Sequence, residues 1–72
     1  MKEVIYSYRS EIIKYIIQLS KLKMSYEDRI LFTKLKNLFA VTTTNSKNVY
    51  ELLYNYELIL MLLKDFYIKL LK

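Results

Sequence analysis

Ser7, Glu11, Lys14, Gln18 and Lys21 recur at alternating intervals of four and three residues, the spacing that keeps side chains on one side of an α-helix. Opposite that narrow polar arc run two apolar ridges, Ile5/Tyr8/Ile12/Ile16/Leu19 and Tyr6/Ile13/Ile17. The pattern predicts a first helix over about 3–23, with an apolar face wider than one neighbouring helix covers. The break falls at Met24-Ser25. The Ser25 hydroxyl is suited to accept a free N–H of the following turn, and Glu27 and Asp28 set negative charge at the positive helix end. A second helix is therefore expected over about 26–41. It should bury Ile30, Leu31, Leu35, Leu38 and Phe39 and leave Arg29, Thr33, Lys36 and Asn37 in water.

Residues 42–47 read as a loop, because Thr, Asn and Ser side chains compete for backbone hydrogen bonds and favour turns and caps. Asn48, with Glu51 three residues on, offers a cap for a third helix over about 48–71, and Lys64, Lys69 and Lys72 suit the negative end of that helix. Gly and Pro are both absent, which disfavours tight hairpins and favours a few long helices. The expected fold is all-α: one domain spanning 1–72, a three-helix bundle or helical-hairpin-like unit, completed by oligomerisation.

The third helix supplies the reason for that last expectation. Leu52, Tyr56, Ile59, Leu63, Phe66, Tyr67 and Leu70 make a coherent core face. Leu58 and Leu62 nevertheless fall in the arc of Glu51, Asn55, Asp65 and Lys69, which should face water, and Tyr54 and Met61 flank it. Two neighbouring helices cannot cover a third on every side, and a helix that is apolar all round normally sits inside something larger. Burying a Leu is worth about 1.5–3 kcal/mol, so the surplus is a drive for association, offset in part by the entropy of association. Tyr54, Leu58, Met61 and Leu62 are the expected protein interface, with Glu51, Glu57, Lys64 and Asp65 at its rim. The partner is a second copy or a larger assembly to which this chain is an accessory subunit.

Size sharpens the expectation. At 72 residues and 54% hydrophobic, the chain belongs to a size class in which one core barely offsets the ordering entropy, so a staple is usual. No Cys is present for a disulfide, and without Cys or His the common metal ligands are missing. No metal and no cofactor are expected. Catalysis would fall to carboxylates, Lys, Tyr or hydroxyls. Glu27 and Asp28 are adjacent and explained by capping, while Glu51 and Glu57 lie on different faces. No catalytic residue is assigned and no enzyme activity is expected.

The chain carries 12 Lys and Arg against 7 Asp and Glu, a net charge of +5. Lys14, Lys21, Lys23, Arg29, Lys34 and Lys36 form its most basic stretch, and a salt-sensitive, sequence-independent grip on phosphates is the alternative reading. Two arginines leave little of the bidentate fork that reads guanine. Eight tyrosines could stack on bases, although Tyr more commonly rims a core with its hydroxyl in water. The longest charge-free apolar run, Leu58 to Leu63, falls far short of the roughly 20 residues that span a bilayer. The first helix has too few cations in its polar arc for more than a loose match to a membrane-surface binder. A soluble, cytoplasmic protein is expected.

Overall fold

The computed structural model describes residues 2–72. Three helices follow in chain order, α1 (Lys2–Ser20), α2 (Tyr26–Asn45) and α3 (Val49–Leu71). The fold is the expected all-α three-helix bundle. Its geometry is set by α3, which packs along both α1 and α2, whereas α1 and α2 scarcely touch each other. The most apolar helix takes the central place because it can bury surface on two sides at once.

Ile12 and Leu19 of α1, Phe32 and Leu35 of α2, and Tyr56, Ile59, Leu63 and Phe66 of α3 form the buried core. Aromatic pairs fasten the helices. Tyr15 meets Tyr67 edge-on with ring centroids 5.7 Å apart, Phe32 stacks on Phe66 at 6.4 Å, and Phe39 tilts against Tyr56 at 5.6 Å. Such pairs add about 0.5–1.5 kcal/mol each beyond the area they bury. The buried Tyr56 ring keeps its hydroxyl satisfied, 2.7 Å from Thr43 Oγ1. Among the described residues no buried side-chain polar atom lacks a partner.

The expected α2 face is corrected by these rings. Ile30, Leu31 and Leu38 lie exposed, and only Leu35 and Phe39 of the expected set reach the core. The face turned inward is Phe32, Leu35, Phe39 and Thr42, since two phenyl rings bury more area than the aliphatic side chains they displace. Arg29, Thr33, Lys36 and Asn37 are exposed as expected.

Boundaries shift for local reasons. α1 stops at Ser20, short of Lys23, and its last turn tightens through bonds from Lys21 N–H to Gln18 O and from Leu22 N–H to Leu19 O. Stopping there lets Leu22 and Met24 fold back onto the core. α2 continues past Val41 to Asn45, through most of the expected loop. Thr43 Oγ1 donates to Phe39 O at 2.9 Å and Thr44 Oγ1 to Ala40 O at 3.1 Å. Hydroxyls expected to compete with the helix therefore bond its own carbonyls instead, and Thr42 is buried.

Both predicted caps form. Ser25 Oγ accepts from Asp28 N–H at 3.2 Å. Asn48 Oδ1 accepts from Glu51 N–H at 2.9 Å, and the Glu51 carboxylate reaches back to Lys47 N–H at 3.3 Å. Asn48→Ala is expected to cost about 1 kcal/mol, or a fall of roughly 4–8 °C in Tm for a domain of this size. A calorimetric Tm unchanged by the substitution would show that the cap adds nothing to the fold.

Candidate functional site

Tyr54, Leu58, Met61 and Leu62 all project from α3 away from the core, with exposures of 68%, 42%, 56% and 40%. They share the helix with Ile59 and Leu63, which are buried, because consecutive residues in a helix are turned by about 100° from one another. An exposed Leu alone means little. Here the residues are contiguous, and Tyr50 and Ile68 extend the apolar surface along α3.

Leu62 is not isolated from α2. It lines a shared groove with Leu31, Leu35, Asp65, Phe66 and Lys69, so the exposed stripe of α3 continues onto the Leu31 and Leu38 stripe that the core left out. The exposed large hydrophobics outnumber the buried ones among the described residues. The second α1 ridge behaves likewise: Tyr6, Ile13 and Ile17 are exposed, while Ile12 and Leu19 of the first ridge are buried and Ile5, Tyr8 and Ile16 pack against the core. The width of the α1 face signalled this in advance. The α2 stripe could have been found by noticing that Ile30, Leu31, Leu38 and Val41 form a second apolar arc beside the one centred on Leu35.

The expected rim divides. Glu51 and Asp65 lie along the Leu58/Leu62 seam, and Asp65 lines its groove. Glu57 and Lys64 are exposed but sit roughly 140–160° round the helix from Leu62, at about 100° per residue. They border the Met61 and Ile68 side instead. Lys69, not counted among the rim residues, joins the seam and lies 3.9 Å from the half-buried Asp28 in an ion pair between α3 and α2.

The basic residues are dispersed over several surfaces. Arg29 and Lys36 border a cleft where the end of α1 meets α2, lined also by Leu22 and Met24, and the Lys36 ammonium stands 4.6 Å above the Phe32 ring. Lys34 lies in an adjoining hollow with Tyr26 and Ile30, which shares Arg29 and Thr33 with that cleft. Lys14 is on the outer arc of α1, 4.0 Å from Glu11, and Lys21 and Lys23 are exposed in the connection to α2. A phosphate backbone would have to wrap the molecule to meet them all.

Among the described residues, no group of three or more potential metal ligands comes together and no helix is long and apolar enough to cross a membrane. No family model, curated protein or solved structure matches the chain.

Proposed function

We propose that this chain is a non-enzymatic helical docking protein, which joins a homo-oligomer or a larger assembly by burying the outward face of α3. Tyr54, Leu58, Met61 and Leu62 supply the apolar centre, and the charged residues along the seam set orientation. The observation that carries the reading is the pair Leu58 and Leu62, one turn apart and both exposed, with Leu62 lining a groove shared with Leu31 of α2. Contiguous apolar surface at this density is the usual mark of an interaction face. The scattered placement of the basic residues favours docking over nucleic-acid binding.

Hydroxyl-radical footprinting in the cells that express the protein tests the reading. Tyr54, Leu58, Met61 and Leu62 are expected to label several-fold more slowly in the cell than in the dilute purified chain, while exposed Tyr26 on α2 labels alike in both. Equal labelling of the α3 face in the two settings would reject the docking role.

A further inference from the structure

We propose that the occupant of the α3 face is a second copy of this chain, with the two α3 helices packed antiparallel about a two-fold axis. The proposal rests on the docking reading above and adds the identity and orientation of the partner. Its basis is the order of residues along the seam: Glu51, Asn55, Leu58, Leu62, Asp65 and Lys69. Their intervals are four, three, four, three and four, a spacing that reads the same from either end about residue 60. Two such stripes laid antiparallel meet at equal distances from that centre. Leu58 then sits level with Leu62 of the other copy, Asn55 with Asp65, and Glu51 with Lys69.

The chemistry is self-complementary in that orientation alone. An acid faces an ammonium at each end, an amide donor faces a carboxylate inside them, and the leucines interdigitate at the middle. Parallel packing would set Glu51 on Glu51, Asp65 on Asp65 and Lys69 on Lys69, and like charges placed opposite one another disfavour that register. The ends are available for the exchange. The exposed Lys69 ammonium lies 3.9 Å from Asp28, and the Glu51 carboxylate accepts the N–H of Lys47.

The second helix fits the same two-fold. Phe39 meets Tyr56 and Phe32 meets Phe66, so the middle of α2 is level with residue 60. Leu31 and Leu38, exposed beside the seam, would then be brought against the α2 of the other copy. The assembly is a four-helix bundle made from two α2/α3 hairpins, with one α1 on each outer flank. This geometry covers Leu31 and Leu38, which the single chain leaves exposed.

Charge reversal in the full-length chain, read by sedimentation equilibrium across concentration, tests the pairing. The unmodified chain should reach twice its 8.8 kDa monomer mass. Glu51→Lys and Lys69→Glu should each weaken dimerisation roughly tenfold, because each creates two like-charge pairs. The double variant E51K/K69E should recover most of that loss, since it restores opposite charges only across an antiparallel seam. It carries both intrachain penalties, including the altered cap at Asn48, so its recovery cannot arise from better folding. Should Glu51→Lys lose helical circular dichroism, Glu51→Gln keeps the cap and still removes the charge. A dimer indifferent to these reversals would overturn the antiparallel arrangement and leave the docking role standing. A monomer at every concentration would overturn the second copy as partner, while footprinting in the cell decides the docking role separately.

Discussion

Leu63→Ala is expected to strip this domain of much of its stability, whereas Leu62→Ala, one residue earlier, should be nearly silent in the monomer. Leu63 is fully buried at the junction of all three helices, and Leu62 is exposed on the other side of α3. Truncating a buried Leu removes the transfer energy of the lost carbons and leaves a cavity, together about 2–5 kcal/mol. A chain of this length holds only about 4–11 kcal/mol in total, at about 0.05–0.15 kcal/mol per residue. The expected result is a fall in Tm of roughly 8–40 °C or the loss of a cooperative transition. Thermal melts of the two variants at micromolar concentration make the comparison. Equal, mild effects would mean that α3 is rotated from the orientation described.

The second large effect is on association. Leu58→Lys with Leu62→Lys is expected to weaken assembly by at least about a hundredfold, since two leucines worth about 1.5–3 kcal/mol each on burial become ammonium groups that must be desolvated to dock. The fold should survive. Both positions are exposed, and a Lys stem can lie along the helix surface with its charge in water. Sedimentation should show a monomer whose helical circular dichroism matches that of the unmodified chain. Undiminished mass in the variant would move the interface elsewhere, to the exposed α1 ridge of Tyr6, Ile13 and Ile17 in the first instance.

Both variants probe one fact about α3: its apolar surface runs beyond the part that α1 and α2 cover. The core side is filled by α1 and α2, and because those two scarcely touch, each also leaves part of its own apolar surface uncovered. A bundle built on a central helix in this way is an open layer. In the proposed dimer, pairing two such layers would cover the α2 and α3 stripes in one step and leave the α1 ridges outermost.

Helix number, the caps at Ser25 and Asn48, and the core face of α3 were legible from the residues, because each rests on interactions within a few positions of one another. The surplus of Leu58 and Leu62 was legible for the same reason: helical periodicity assigns a side chain to a face whatever lies opposite. The facing of α2 was not. Its two apolar arcs both satisfy the periodicity, and the choice between them came from where Phe66 and Tyr56 wait on α3 to receive Phe32 and Phe39. The extension of α2 through Asn45 was hidden likewise, since Thr43 bonds both the carbonyl behind it and a tyrosine thirteen residues on. Local pattern sets which surfaces a helix owns. Packing between distant segments decides which of them is covered, because only there do ring size, cavity volume and hydrogen-bond partners compete for the same space.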